Sequence, residues 1–347
     1  MVPWEPHGER IADKVRQTCQ SLNVADNRVV SLVHDEASNM VAGRRKLEEE
    51  QGWASAVCAA HRLQTCIKHA IDQNRSMTKL LARGRKLVGH FRQSAQATEA
   101  LAKKQDASPP LKVVQDCPTR WNSALHMLER LVKLEIPPRS VFKDNNVIKK
   151  DQSHLLLKDP EWRLAGELVD TLHHCEVATI ALGGEQYCTM SMVAPVIHGL
   201  CAEVEDLASK SKRGSHIHEF QKCLLSELHG KFNLKKLTAS SLPSLCAAVD
   251  PRFRDLSLLP VDVARATKEN FLQAMFADEC DKEDGPEEGR ASKVTSGDEP
   301  PAKKQCTALG RLLKRNGPLE KKSLSARLET ELTLYFTEDV EAEDVDR

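Results

Sequence analysis

The sequence contains no apolar run that approaches the roughly 18 residues needed to cross a bilayer, so it predicts no membrane-spanning helix. No two of its 11 cysteines are separated by only two residues, and a zinc finger is therefore not expected. The 50 basic and 50 acidic residues cancel, so net charge alone predicts no polyanionic partner. Residues 1–10 are polar and include two prolines, unlike a secretory signal. We therefore expect reduced thiols in a cytosolic or nuclear protein.

Charge is distributed unevenly along the 347 residues, of which 40% are hydrophobic. That size and hydrophobic content predict a buried core in one large or two modest domains. Between Arg75 and Lys104, eight Lys or Arg residues accompany a single acid, Glu99. Basic residues at 75, 79, 83 and 86 repeat with helical spacing, which indicates either a phosphate-binding surface or an ordinary solvated helix face. The acidic, Gly-, Ser- and Pro-containing segment 278–304 is predicted to be a disordered linker.

The spacing of apolar residues predicts a mainly α chain with a small α/β portion. A helix at His7–Leu22 leads into a β-branched strand at Arg28–His34, and a second short strand is predicted at Leu111–Gln115. Apolar residues three or four apart predict further helices at Trp53–Ile71, Ser76–Lys104, Trp121–Ile136, Glu161–Leu182, Ser191–Lys210, His216–Leu237, Val261–Phe276 and Leu324–Phe336. Pro137–Pro138 is predicted to close the helix that begins at Trp121. The first strand needs more neighbours than the chain supplies, which indicates an incomplete sheet.

Two phrases carry residues typical of a nucleic-acid enzyme. VVSLVHDEASNM (Val29–Met40) ends an apolar strand on Asp35. A metal-dependent nuclease holds its hard divalent cation with carboxylates delivered in this way from rigid strands. DCPTRWNSALHMLERL (Asp116–Leu131) places Arg120 and Trp121 just before a helical pattern.

These phrases resemble the hAT transposase superfamily and, within it, the domesticated branch related to BED-type zinc-finger proteins. Three further phrases extend the resemblance, and all five follow the order of the family, namely CAAHRLQ (Cys58–Gln64), the helical phrase Glu161–Pro195 and AAVDPRFRDL (Ala247–Leu256). The resemblance implies a ribonuclease-H-like fold split by a large all-helical insertion, with a triad of two aspartates and a glutamate that binds two divalent metal ions. Asp35 matches the second aspartate, and the sequence offers no counterpart to the other two. We therefore expect an incomplete ribonuclease-H-like fold in which Asp35 is a vestigial catalytic residue.

The resemblance divides the chain into four predicted parts. These are a ribonuclease-H-like remnant at 1–50, a helical insertion at 51–277 with a short strand near 111–115, the acidic linker at 278–304, and the beginning of a truncated dimerisation segment at 305–347. A homodimer is implied only for a full-length form.

The resemblance also implies where nucleic acid would bind. The equivalent Arg-Trp pair in the family lies close to DNA, and a tryptophan can stack on an unpaired base of any identity. The alternative is that Trp121 begins a core-facing helix and Arg120 pairs with a nearby acid. Cys58 and His61 fit either a packed thiol with a hydrogen-bonded imidazole or a His that approaches DNA, and no second pair completes a metal site. The predicted nucleic-acid-binding residues are His61, Lys79, Arg83, Lys86, Arg120 and Trp121.

The sequence thus predicts a catalytically inactive, domesticated nuclear protein in transcriptional regulation. Its expected partners are DNA, bound weakly and without sequence specificity, or chromatin proteins. No cofactor is expected, since Mg²⁺ would be needed only by an active transposase. Two alternatives stay open, namely a fragment of an active transposase that cleaves and transfers DNA strands, and a protein-interaction scaffold that binds no nucleic acid.

Overall fold

Helices account for most of the described chain, as the spacing of its apolar residues predicts. The computed structural model describes residues 7–117, 120–184, 189–234, 241–280 and 335–336. Contacts divide the chain into a first unit, residues 1–59, 190–195 and 236–347, and a second unit, residues 60–189 and 196–235. The expected mainly α fold with a small α/β portion is confirmed. The division into four parts stays a prediction.

The α/β portion of the first unit is a parallel two-stranded sheet. Its elements are α1 (His7–Ser21), a 3₁₀ turn at Asp26–Arg28, β1 (Ser31–His34), α2 (Ser38–Gln51) and β2 (Ala54–Val57). The strands pair from Ser31 opposite Ala54 to His34 opposite Val57. Parallel neighbours need a crossover, and α2 provides it.

Two glycines let α1 and α2 pack closely. A Cβ atom on Gly43 would lie 2.9 Å from the carbonyl oxygen of Gly8, so a larger side chain has no room there. Trp53 is only 1% exposed, and its indole N–H donates to the Asp26 carbonyl at 3.1 Å. The tryptophan therefore joins the end of α2 to the 3₁₀ turn that precedes β1. The small core of this portion consists of Ala12, Leu47 and Trp53.

The second strand lies elsewhere than the sequence predicted. Leu111–Gln115 is an irregular loop and not a strand, and the Gln105 side chain hydrogen-bonds both the Leu111 N–H and its carbonyl oxygen, at 2.9 and 3.1 Å. The strand that pairs with β1 is β2, which falls inside the predicted helix Trp53–Ile71. Gly52, with a φ of 67°, ends α2 and turns the chain into β2. The strand has only four residues, ASAV, which is too short for residue spacing to distinguish a strand from a helix.

The described part of the second unit is helical. Its helices are α3 (Ala59–Gln73), α4 (Arg75–Gln93), α5 (Ala95–Lys103), α6 (Trp121–Lys133), α7 (Ile136–Val141), α8 (Asp159–Leu182), α9 (Met190–Lys210, whose first turn belongs to the first unit) and α10 (His216–Lys231), with a 3₁₀ turn at Lys150–Leu155. The apolar face of α6 packs against α4 and α8. Gly84 of α4 permits this approach, since a Cβ atom there would lie 3.3 Å from Met127 and 3.4 Å from Leu131.

Local signals divide two of the predicted helices. The Ser94 hydroxyl accepts a hydrogen bond from the Ala97 N–H at 3.1 Å, so Ser94 ends α4 and caps α5. The prediction of one helix from Ser76 to Lys104 was therefore wrong at this point. Pro137 and Pro138 stand in the first turn of α7, where a missing N–H costs nothing. They begin a helix, and α6 has already ended before them.

The rest of the first unit surrounds a second cluster of apolar residues. It contains α11 (Leu242–Val249), the loop 250–260 and α12 (Val261–Cys280). The buried members of the cluster are Ala194, Ala247, Ala248, Phe253, Leu256, Leu259, Phe271 and Phe336. Two predicted segments lie mostly outside the described residues, namely the acidic linker 278–304 and the segment 305–347. Of the helix predicted at Leu324–Phe336, only the last two residues are described. Among the described helices, none combines the length and the apolar character needed to cross a membrane.

Candidate nucleic-acid interface

A cleft in the second unit brings part of the DCPTRW phrase together with α3 and α4. Its volume is about 110 Å³. The polar and aromatic residues that line it include Gln64, Lys68, Thr78, Arg85, Arg120 and Trp121. The carboxylates of Asp72 and Asp116 also line the cleft, and Asp116 is paired with Arg85. Lys68 and Arg120 are exposed cations of the lining, and exposed cations suit a ligand that carries negative charge.

A buried ion pair holds the phrase in place. The Nε and Nη2 atoms of Arg85 each lie 2.7 Å from Oδ2 of Asp116. The Asp116 side chain is fully buried, whereas that of Arg85 is 36% exposed. The Gln115 amide donates to the other carboxylate oxygen at 3.0 Å. A charge-assisted, two-point contact of this kind fixes orientation as well as position.

Hydrogen bonds fix Cys117 and Arg120 in front of α6. The Arg120 N–H donates to the Cys117 carbonyl at 2.9 Å, and the Cys117 N–H donates to the Ser123 hydroxyl at 2.8 Å. The Arg120 side chain is exposed and lines the cleft. Trp121 is the first residue of α6 and is 7% exposed, so most of its ring packs in the core and only a small part lines the cleft. The alternative in which Trp121 begins a core-facing helix therefore describes its burial correctly.

The basic residues of α4 fall into two groups. Arg75, Lys79 and Lys86 are exposed and follow one face of the helix. Arg83 is half-buried, because its Nε lies 2.6 Å from Glu161 Oε1 and its Nη2 donates to the Leu156 carbonyl at 2.7 Å. Arg83 thus links α4 to α8 and has less freedom than its neighbours to meet a phosphate.

His61 is exposed on α3. It precedes Gln64 by three residues and Lys68 by seven, which places all three on one face of the helix. Gln64 and Lys68 line the cleft. The structure therefore puts His61 on the same side of α3 as the cleft.

Asp35 belongs to the first unit and directly follows β1. Its Oδ1 accepts a hydrogen bond from the Ala37 N–H at 3.2 Å, so the carboxylate caps the turn that leads into α2. His34 is buried, and its Nδ1 contacts the Asp35 carbonyl oxygen. Within the described residues, no group of three or more His, Cys, Asp or Glu side chains is arranged to hold a metal ion.

The sequence did not single out Arg85, Asp116 or Lys68 as site residues. Arg85 was one cation among eight in a basic segment, and Asp116 only opened the phrase. Their opposite charges were a signal, but the pair spans 31 positions, which no helical spacing predicts. Lys68 carried no signal apart from its place on the polar side of an amphipathic helix.

Part of the chain is similar to a known protein family. Residues 56–170 match the model of the ZBED1 RNase-like helical domain. A longer stretch resembles a BED-type zinc-finger protein. Zinc finger BED domain-containing protein 4 from Homo sapiens is 24% identical to this chain over 271 residues. The alignment covers 77% of this chain and 22% of the human protein, so the chain spans about a fifth of that protein's length.

The candidate interface lies within the matched segment. All of the lining residues of the cleft, together with the exposed cations of α4 and His61, fall between residues 56 and 170. Asp35 lies before that segment. The expected resemblance to BED-type, hAT-derived proteins is confirmed, and the residue assignments stay predictions.

Proposed function

We propose that this chain is a nuclear protein that binds DNA in transcriptional regulation, without transposase chemistry. The observation that carries the proposal is the cleft in which Arg120 and Trp121 are held beside Lys68 by the Arg85–Asp116 ion pair. Relationship to BED-type zinc-finger proteins supports the nuclear setting. Chromatin proteins are proposed as partners besides DNA. A homodimer is proposed only for a full-length form of the protein.

The charges around the cleft favour contacts with phosphates over contacts with base edges. Lys68 and Arg120 are exposed at the cleft, and Lys79 and Lys86 are exposed on α4. Phosphate contacts position a protein on nucleic acid and carry no sequence information directly. Binding should therefore be weak, in the micromolar range or poorer, tolerant of sequence, and steeply dependent on salt. Only a small part of the Trp121 ring lines the cleft, so stacking on an unpaired base should add less than the roughly 1–3 kcal/mol of an open ring.

The test compares two triple variants of equal charge. Lys79→Gln, Lys86→Gln and Arg120→Gln remove exposed cations at and beside the cleft. Arg83 is kept, since its contact with Glu161 is structural. The control changes three exposed cations on α8 and α10, namely Arg163→Gln, Lys222→Gln and Lys231→Gln.

DNA affinity is measured from 50 to 200 mM salt with duplex and single-stranded oligonucleotides. The interface variant should lose affinity, and its salt slope should fall by about 0.9 for each duplex phosphate contact removed. The control should keep the native slope. If the two variants have the same affinity and the same salt slope, the basic face of α4 is a solvated surface that does not contact DNA. If the native chain binds no DNA, the result favours the protein-interaction scaffold.

The catalytic part of the proposal has its own assay. Asp35 caps a turn, and it is the sole residue of the family's carboxylate triad that the sequence matches. We expect no nicking or strand transfer by the native chain with Mg²⁺ or Mn²⁺. Reproducible cleavage that disappears in Asp35→Asn would support the alternative of an active transposase fragment.

A further inference from the structure

Two aromatic residues far along the chain are seated on the second apolar cluster of the first unit. Phe336 is 9% exposed and meets Phe271 of α12 edge to face, with ring centroids 5.9 Å apart and an interplanar angle of 85°. The Lys268 Nζ lies 5.1 Å from the centroid of the Phe336 ring. The residue thus has both an apolar and a cationic partner on α12.

Tyr335 likewise has a cationic and an aromatic partner, and the cation lies on the loop between α11 and α12. The guanidinium carbon of Arg254 lies 5.6 Å from the centroid of its ring. Its ring packs against Phe336 at 5.4 Å between centroids. Among the described residues, the buried Tyr335 hydroxyl has no hydrogen-bond partner. Recognition of this side chain therefore depends on its ring and not on its hydroxyl.

The loop that receives Tyr335 is braced independently of the aromatic pair. Asp250 accepts hydrogen bonds from the Arg252 N–H at 3.1 Å and from the Ser191 hydroxyl at 2.6 Å. The Arg252 guanidinium makes two further contacts with the carboxylate, from Nε at 3.1 Å and from Nη2 at 2.7 Å. We call the surface formed by Phe253, Arg254, Lys268 and Phe271 the aromatic cradle. The contacts of Asp250 brace the loop that carries Phe253 and Arg254.

We propose that the aromatic cradle is a peptide-recognition site for an aromatic pair followed by acidic residues, occupied in cis by Tyr335–Phe336. Charge complementarity supports this choice of occupant. The residues that follow Phe336 include Glu338, Asp339 and Glu341, and the cradle presents Arg254 and Lys268 beside the two rings.

Residues 281–334 separate the cradle from its occupant in the sequence. The entropic cost of bringing two segments of one chain together grows only with the logarithm of the number of residues between them, so a distant segment can still dock in cis. A tethered occupant also has a high effective concentration at its site. A free peptide of the same chemistry should therefore compete poorly until the aromatic pair is removed.

The experiment uses the full chain and a fluorescent peptide of residues 331–346. The receiver is the double variant Tyr335→Ala, Phe336→Ala, which empties the cradle. It should bind the peptide with micromolar affinity, and the native chain should bind at least about tenfold more weakly. Adding Arg254→Gln and Lys268→Gln to the receiver should weaken binding and flatten its salt dependence. Equal binding by native chain and receiver, or equal binding of a scrambled peptide, would overturn the proposal.

A second measurement does not depend on the double variant folding. A benzophenone amino acid at position 336 of the full chain should crosslink on illumination to α12 or to the loop before it, within one chain. Crosslinks elsewhere in the chain would rule out the cradle as the site. Crosslinks between chains would mean that Tyr335–Phe336 of a second copy occupies the cradle, which would overturn the proposal of an occupant in cis. Tyr335→Phe serves as a control and should behave like the native chain, because the hydroxyl has no partner among the described residues.

Discussion

Arg85 of α4 and Asp116 of the DCPTRW phrase form an ion pair in which two guanidinium nitrogens lie 2.7 Å from one carboxylate oxygen. The carboxylate is fully buried and the guanidinium is 36% exposed. The asymmetry matters because a buried charge that loses its partner is far more costly than an exposed one. The pair also holds the segment before Arg120 against α4. Loss of the pair should therefore change both the stability of the second unit and the shape of the cleft.

The first prediction follows from that asymmetry. Arg85→Gln leaves the Asp116 carboxylate buried without its cation and should lower the free energy of unfolding by about 3 kcal/mol. Asp116→Asn leaves Arg85 able to reach solvent and should cost only about 1 kcal/mol. Lys86→Gln, on the exposed face of the same helix, should stay within about 0.5 kcal/mol of the native chain. Urea unfolding measures all three, and a larger loss for Asp116→Asn than for Arg85→Gln would contradict the assignment.

The second prediction concerns the close approach of α1 and α2. In Gly43→Ala the new Cβ atom would lie 2.9 Å from the Gly8 carbonyl oxygen and 3.1 Å from Ile11 Cγ2, both shorter than ordinary contacts. The helices must separate, and unfolding free energy should fall by about 1–3 kcal/mol. Gly166→Ala in α8 is the matched control.

A Cβ atom on Gly166 would meet nothing within 4 Å. Its replacement by Ala should therefore stabilise the helix by about 0.5–1 kcal/mol. Thermal unfolding of both variants measures the difference. A neutral Gly43→Ala would mean that α1 and α2 tolerate a wider spacing than the structure has.

The sequence predicts features that depend on neighbouring residues better than features that depend on distant contacts. The helix ends at Ser21, Leu182 and Lys210 fall within one residue of prediction, because apolar spacing and polar breaks act over single turns. The position of β2 was missed, since a short apolar run has no period of its own. Arg120 and Trp121 were found through their phrase. The ion pair that fixes them was not, because it joins residues that only tertiary structure brings together.

The third prediction is a loss of stability in acid that depends on His90. Burial lowers the pKa of His90 from its ordinary value of 6.5. The ring packs between Phe91 and Phe142, with centroid distances of 5.7 and 5.8 Å. As pH falls below about 6.5, the unfolded chain binds a proton that the folded chain resists, so unfolding becomes more favourable until the folded pKa is passed.

His90→Phe keeps an aromatic ring and removes the titrating group. The stability of this variant should therefore fall less than that of the native chain between pH 7 and pH 5. Guanidinium unfolding at several pH values measures this difference. His173→Gln, an exposed histidine on α8, controls for the loss of one imidazole elsewhere. If the free energy of unfolding depends on pH in the same way for the native chain and for His90→Phe, then His90 does not cause the loss of stability in acid.

The last prediction tests the brace of the aromatic cradle. Burial raises the pKa of Asp250, but hydrogen bonds from Arg252 and Ser191 outweigh it and leave the pKa below its ordinary value of 3.8. Because the folded pKa is depressed, the carboxylate contributes stability above the unfolded pKa, and this contribution is lost as pH falls through the folded pKa. Asp250→Asn keeps the shape of the side chain and removes its charge, so it should cost about 1–2 kcal/mol at pH 7. The difference from the native chain should shrink below about pH 3.8, where the native carboxylate also becomes neutral. Ser191→Ala should show a smaller loss, since it removes only one neutral donor to the carboxylate. A constant difference between native chain and Asp250→Asn from pH 7 to pH 3 would mean that shape, and not charge, holds the loop.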